Sequence, residues 1–432
     1  MTVGCGGRRV GVTAVRRDRC AIVVLPSGRA GDRRPGGCHA TASAGPSTGK
    51  GSAAMGEQRS GPLSGVLVAD FSRILAGPYA TMLLADLGAE VIKVEGPGGD
   101  DTRTWMPPVR EGTSTYYLGV NRNKRSIALD LAEPGDLDVA QRLVRRADVM
   151  IQNFRPGGLR RFGLDYDSVA AVNERIVYAS ISGFGAGAGA NLPGYDLVVQ
   201  AASGLMSLTG EPDGPPYKAG VAVFDVIAGL HAAVGILAAL SHRERCGTGQ
   251  HVEVDLLSSA LSGLVNQTSG HVAGGAMPFR MGNGHPSLFP YEPFPTADGD
   301  LVVIAGNDGQ FRKLCQVLGL PELPDDPRFG RNQDRTVNRE ALRPILVARL
   351  VRRTRDEWFR DLRAAGVPCA PINTVAGGVD LARDLGLEPV VVAGGVPGIR
   401  NPIGFTATPP RYDLPPPGLD EHGDEIRKWL AD

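Results

Sequence analysis

Between Val66 and Glu95 an apolar hexapeptide, VLVADF, is followed by GPYATMLLADLG, whose Met82, Leu83, Leu84 and Leu87 share one helical face, and then by EVIKVE. Strand, helix and strand within about thirty residues make a βαβ unit. No other feature constrains the fold as much. The alternation continues with strands expected at Ser126–Leu131, Val149–Phe154 and Ile176–Ile181 and a helix at Gly135–Ala147. This is the pattern of an open α/β sheet, whose ligand belongs in the loops leaving the carboxyl ends of the strands. A long apolar helix is expected from Val226 to about His242, then a strand from His251. Residues 291 to 365 read as a smaller unit: a strand at Leu301–Ala305 and helices at Gly309–Leu318, Arg335–Arg352 and Arg355–Ala365. The proline-rich stretch Pro402–Leu430 reads as a strap across another surface, closing on a short helix.

Residues 1–60 lack periodicity and are rich in Gly, Ser, Ala and Arg, so a disordered extension is expected, with Met55 as the native start. Gly45–Ser52, GPSTGKGS, approaches a phosphate-binding loop but has one residue too few between its glycines and Gly51 where Ser or Thr belongs. Ten Lys or Arg against three acids give this extension +7, which leaves −7 on the rest of a neutral 432-residue chain. An acidic body argues against a nucleic-acid partner. No continuous apolar run reaches the roughly 18 residues of a membrane span, so no membrane is expected as a partner. Cys5, Cys20, Cys38, Cys246, Cys315 and Cys369 have neither zinc nor disulfide spacing, which points to a reducing cytoplasm. His251, Glu253 and Asp255 alternate on one strand face, but that is the pattern of a solvated strand and no metal site is assigned.

Chemistry concentrates between Ser182 and Leu230. GFGAGAGA, Gly183–Ala190, begins like a dinucleotide fingerprint, yet Pro193 and Gly194 stand where its helix should open, so it reads as a glycine hinge. Asp196 follows at the start of an apolar helical pattern, in the place of an N-cap. RMGNGHP, Arg280–Pro286, is either a turn or a loop whose backbone N–H groups close over a substrate oxygen. Cations are expected in loops after strands, at Arg73, Arg122, Lys124, Arg125, Arg155, Arg160 and Arg161, and suggest a phosphorylated ligand. No complete phosphate loop or magnesium-binding acid pair accompanies them, which disfavours ATP-driven chemistry.

Seven segments in register, DFSRILAGPYATMLLADLGAEVIKVEGPGGDDTRTW from Asp70, NRNKRSIALDL from Asn121, NFRPG from Asn153, SGFG from Ser182, PGYDLVVQAASGLMSLTG from Pro193, GNGHP from Gly282 and EHGDEI from Glu421, resemble the family III CoA-transferases. The resemblance implies a Rossmann-like large domain over 61–230 completed by 375–432, a linker helix and crossing segment over 231–290, and a small α+β domain over 291–374. It also implies an interlocked, ring-like homodimer. Asp196 would take the place of the catalytic aspartate. Ile74, Leu75 and Ala76 would lie along the adenosine end of CoA, with Asn123, Lys124, Arg125, Asn153, Phe154 and Arg161 near the nucleotide and its phosphates. Where formyl-CoA transferase has an Arg after the VIKVE-type strand this chain has Gly96, so one cation is missing or supplied elsewhere.

The implied reaction moves CoA from an acyl-CoA to a carboxylic acid through an aspartyl anhydride and an enzyme–CoA thioester, with no permanently bound cofactor. A helix N-terminus favours the ionised form of an aspartate nucleophile, and a lid over Gly282, Asn283, Gly284 and His285 would keep water from the anhydride. Arg103, Tyr195 and His285 are candidates for the substrate pocket, with succinate a donor by family habit. Two alternatives stay open. An α-methylacyl-CoA racemase would have His before the first acid, where this chain has Tyr195, and a second acid at the place of Asp225; a silent CoA-binding protein would lack Asp196.

Overall fold

The computed structural model describes residues 60–432. The expected extension, the Gly45–Ser52 loop and the start at Met55 lie outside the described residues. Six parallel strands form the main sheet: β1 (Leu67–Asp70), β2 (Glu90–Glu95), β3 (Lys124–Ala128), β4 (Val149–Gln152), β5 (Val177–Ser182) and β6 (Gln250–Asp255). Their spatial order is β3-β2-β1-β4-β5-β6, every neighbouring pair parallel. The order reverses between β1 and β4. At such a switch point the two flanking loops part in opposite directions and leave a crevice at the carboxyl edge.

Alternation along the strands divides the core in two. Val68, Val91, Ile151 and Ala179 face one side, against helices α1 (Ala76–Asp86) and α4 (Val223–Cys246); Ala69, Ile92, Met150 and Tyr178 face the other, against α2 (Pro134–Arg146). Phe224, Ala228, Ala232 and Ile236 repeat every four residues and seat α4. Burying Phe224 and Ile236 contributes roughly 1.5–3 kcal/mol each. At Gly229 an added Cβ would stand 2.6 Å from the Ala76 carbonyl oxygen, so glycine sets how closely α4 approaches α1. By length and hydropathy α4 qualifies as a candidate membrane span, which the absence of a continuous apolar run had not suggested. A core helix of this kind meets the same test, and this one has its Phe224–Ile236 face inside the core.

A separate core runs from Phe289 to Val367, around the antiparallel strands Tyr291–Pro295, Asp300–Ile304 and Cys369–Pro371. The expected helix Arg335–Arg352 is two helices, Asn332–Val337 and Arg339–Leu350, broken at Asn338. The tail returns to the main sheet. Ile426 and Leu430 of the final helix, Gly423–Ala431, join the α2-side core, and the preceding proline-rich stretch lies over β3 through backbone bonds from Asn123 to Leu414 and from His422 to Ser126.

Beneath that strap lies a network of buried charges. Lys124 Nζ donates to Asp70 (3.2 Å), to the Pro78 carbonyl (2.9 Å) and to Asn121 (2.9 Å). Arg122 grips Asp86 through Nε and Nη2 (2.9 and 2.6 Å), and Arg125 pairs with Glu90. Asn123 donates to Asp86 and to the Arg411 carbonyl and accepts from the Asp413 and Leu414 backbone N–H groups. Burial pulls Lys124 down to about 8 despite the opposing field of Asp70. These bonds correct the expectation that Asn123, Lys124 and Arg125 line the CoA phosphates. The strand begins at Lys124 rather than Ser126; Lys124 and Arg125 lie in its amino end and Asn123 just before it, away from the carboxyl-edge crevice, and all three are buried with internal partners.

Candidate active site

The β1 exit runs Ser72–Arg73–Ile74 and the β4 exit runs Asn153–Phe154–Arg155, one on each side of the switch point. Asn153 ties them together, accepting from the Arg73 N–H (3.0 Å) and donating to the Arg73 carbonyl (2.8 Å). Ile74 adopts φ +70°, a left-handed conformation unusual for a β-branched residue. Its N–H points at Asp100 (3.2 and 3.3 Å to the two oxygens), whose carboxyl Lys93 and the Thr102 N–H help hold down at about 2 against burial. The loop is therefore set by buried electrostatics before any ligand arrives.

These exits open on a cleft of about 190 Å³ lined by Arg73, Ile74, Ala76, Asn153, Phe154, Arg155, the 181–185 and 189–195 stretches, Asp225 and Leu256. The loop after β5 is pinched at its neck: a Cβ on Gly183 would sit 2.4 Å from the Gly194 Cα. The glycines expected to act as a hinge thus include a backbone-to-backbone contact that no other residue allows. Tyr195, 57 % exposed, reaches the cleft from the far side of this neck.

The two candidate acids take different places. Asp196 is 7 % exposed and has both oxygens engaged. Oδ1 accepts from the N–H groups of Phe224 (2.8 Å) and Asp225 (3.2 Å), and Oδ2 accepts from Gln200. It caps the first turn of α4 and makes no cap bond to its own helix α3 (Asp196–Ala202). Gln200 in turn accepts from the Ala219 N–H (2.8 Å) and donates to the Val221 carbonyl (3.2 Å), which fixes the lead into α4. Asp225, in that first turn, faces the cleft. Burial, and then the Asp196 charge, push Asp225 up to about 7. Asp196, expected as the reactive carboxylate, has both oxygens engaged at the α4 N-terminus and Gln200, and Asp225 is the acid that lines the cleft. Tyr116 stands near both; burial and then the fields of Asp225 and Asp196 push its phenol up to about 12. Its ring lies edge-on to Trp105 at 5.3 Å.

The remaining site residues divide. Ile74, Ala76, Asn153 and Phe154 line the cleft, while Leu75 is the N-cap of α1 and Arg161 lines an adjoining basin. Arg103, expected in the substrate pocket, is tied into the fold: Nε and Nη2 bind Glu95 (2.8 and 2.7 Å), and Nη2 also reaches Tyr117 and the Pro417 carbonyl. Gly282, Asn283 and Gly284 line a different cavity of about 640 Å³ beside Arg339 and Arg343. His285 accepts from the Ser287 N–H and packs on Tyr291 at 4.9 Å. Within one chain, then, that loop does not cover Asp225. Sequence reasoning gave Asp225 only as the second acid of a racemase and passed over Tyr116. Its position in the first turn of the long helix was the available signal.

The sequence model of CoA-transferase family III matches residues 63–423. A succinate–glutarate CoA-transferase of Agrobacterium fabrum is 44 % identical over 388 residues, covering 85 % of this chain and 95 % of its own. An acetyl-CoA:oxalate CoA-transferase of Acetobacter aceti is 41 % identical and covers 86 % of this chain and 96 % of its own. The crystal structure of a CAIB/BAIF family protein from Brucella suis superposes with a TM-score of 0.77 at 44 % identity, over 86 % of this chain and all of that one. With an α/β sheet, a cleft at its switch point and relatives of this similarity, the chain belongs to CoA-transferase family III and is an enzyme that transfers CoA between acyl-CoAs and carboxylic acids.

Proposed function

We propose that this enzyme exchanges CoA between dicarboxylic acids and that Asp225 is its nucleophile. The observation that carries the second claim is the division of labour between the acids: Asp196 is hydrogen-bonded through both oxygens inside the fold, and Asp225 lines the cleft. A carboxylate that titrates at about 7 is more basic, and so more nucleophilic, than an ordinary aspartate, yet is still substantially ionised at neutral pH. Its oxygen attacks the thioester carbonyl, giving an aspartyl–acyl anhydride and CoA thiolate. The thiolate attacks the aspartyl carbonyl, releasing the donor acid and leaving CoA as a thioester on Asp225. The acceptor carboxylate displaces CoA to form a second anhydride, and the thiolate takes the new acyl group and frees Asp225.

Support for dicarboxylates comes from the Agrobacterium relative, whose name pairs succinate with glutarate. We further propose that the chain works as an interlocked homodimer. Leu230, Val234 and Leu237 form an exposed apolar stripe on the central helix, and Val272, Met277 and Phe279 stand 83, 78 and 65 % exposed after it. Surfaces of this kind call for a partner. A second copy also supplies a lid, because the 282–285 loop lines a cavity apart from its own Asp225. The test is a matrix of acyl-CoA donors and acids. Transfer from succinyl-CoA to glutarate well above transfer to monocarboxylates supports the substrate class; a clear preference for monocarboxylates overturns it.

A further inference from the structure

His251, Glu253 and Asp255 alternate along β6 and line a cavity of about 260 Å³ together with Gln152, Tyr178 and Ser180. Three side chains on three neighbouring strands join there. Gln152 on β4 stands level with Ser180 on β5, and His251 on β6 stands level with Tyr178. Gln152 Oε1 accepts from the Phe154 N–H (2.8 Å), Gln152 Nε2 donates to Ser180 Oγ (2.9 Å), and Ser180 Oγ meets His251 Nε2 at 2.8 Å. A backbone N–H can only donate, so it turns the Gln152 oxygen toward Phe154 and leaves the amide nitrogen for Ser180. The Ser180 hydroxyl therefore accepts from Gln152 and keeps its one proton for His251. Nε2 is then an acceptor, and the ring is neutral with its proton on Nδ1.

The far end of this relay is the Asp225 cleft. Phe154 lines both the cleft and the cavity, and the adjoining Asn153 bonds the β1 exit through the Arg73 backbone. Resting on the reading of that cleft as the acyl-CoA site, we infer that His251 is a positioning residue: neutral, it holds the Phe154 backbone at the cleft through Ser180 and Gln152, and protonated it releases that backbone. An imidazolium Nε2 must donate to Ser180 Oγ. The hydroxyl proton then loses its acceptor, since no described residue bonds Ser180 Oγ apart from Gln152, His251 and the Gln152 amide's own donation, and the positive ring repels the Gln152 amide hydrogens. The groups around the ring divide. Tyr166 stacks on it at 4.8 Å and 16°, and Tyr178 meets it edge-on at 5.4 Å. Burial holds His251 below the ordinary 6.5 against the raising fields of Glu253 and Asp167. Asp165, Asp255, Arg155 and Arg160 line the same cavity, and Arg160 pairs with Asp165 at 3.5 Å.

Calorimetric titration with CoA at about pH 7.5 and pH 5.5, on either side of the histidine range, tests this without turnover. On acidification wild type loses about 5- to 10-fold more affinity than His251→Gln, whose carboxamide oxygen accepts from Ser180 at either pH; the size is that of one hydrogen bond. Asp225 and the CoA phosphate titrate in both proteins and drop out of the comparison. Ser180→Ala cuts the relay and keeps the histidine, so it binds CoA about 5- to 10-fold more weakly at the higher pH and shows no more pH dependence than His251→Gln. Circular dichroism checks that both variants fold, and NMR titration of the His251 ring in wild type depends on neither: saturating CoA moves its midpoint to lower pH, the reciprocal of the same coupling. A histidine that only supports the fold weakens binding equally at both pH values and leaves its midpoint unmoved. Wild-type pH dependence in either variant, an unmoved midpoint, or wild-type binding that tightens relative to His251→Gln on acidification, as the ring's own charge near an anion would cause, overturns the assignment. Wild-type protein that binds no CoA at the higher pH overturns the reading of the cleft and this assignment with it, an outcome distinct from CoA bound without the pH response.

Discussion

Replacing Asp225 with Asn separates chemistry from stability in one variant. Asp225 has a carboxyl pushed from 3.8 to about 7 by burial and by Asp196. A carboxyl raised in the folded state gives stability that is complete below about pH 4 and lost as pH rises through about 7. The full span is about three pH units, or about 4 kcal/mol, and water reaching the cleft reduces this to about 2–4 kcal/mol. Asn has no proton to lose, so Asp225→Asn loses all transferase activity and becomes more stable than wild type. The gain grows by about 1–2 kcal/mol between pH 5.5 and pH 8. Asp196→Ala does the opposite: it leaves the Phe224 and Asp225 N–H groups and the Gln200 amide without their acceptor and destabilises by about 3–5 kcal/mol. Urea unfolding midpoints at the two pH values, beside acyl-transfer rates, read both effects. An Asp225→Asn enzyme that turns over, or an Asp196→Ala protein as stable as wild type, refutes the reasoning.

Other outcomes follow from the same geometry. The pH profile of kcat/KM rises to a plateau with an apparent pKa near 7, and Asp196→Asn moves that inflection to lower pH by removing the neighbouring charge while an acceptor oxygen remains. Asn123→Ala releases the strap at Asp413 and Leu414; limited proteolysis then cuts the 401–422 stretch faster, and stability falls by about 2–4 kcal/mol. Gly183→Ala drives a methyl against the Gly194 backbone, spreads the neck of the 183–194 loop and lowers kcat/KM, with a loss of stability of about 1–3 kcal/mol by urea unfolding.

The architecture was legible because period-two and helical patterns alternate from Val66 onward, and strand β2 falls on the expected residues, Glu90–Glu95. Boundaries elsewhere moved by a few residues, and β3 begins at Lys124, so two cations expected in a loop, Lys124 and Arg125, belong to the strand itself at its buried amino end. The partners of the basic cluster, Asp70, Asp86 and Glu90, come from other strands and a helix, so nothing local announced that those cations were already neutralised. The acids illustrate the same limit. Reading Asp196 as a helix cap was right in kind but assigned to the wrong helix, because it caps α4, which begins at Val223 and meets Asp196 only in the folded chain. Local sequence also gave no reason to separate the exposed Arg155 and Arg161 from the buried Arg122, Lys124 and Arg125, since exposure and pairing are properties of the fold.

A nucleophilic carboxylate becomes covalently modified during turnover. Incubating the enzyme with succinyl-CoA and hydroxylamine, followed by peptide mass spectrometry, places the trapped hydroxamate directly. Modification on the peptide carrying Asp225, absent from the Asp225→Asn variant, is the expected result. A hydroxamate on Asp196, with Asp225 unmodified, contradicts the central claim.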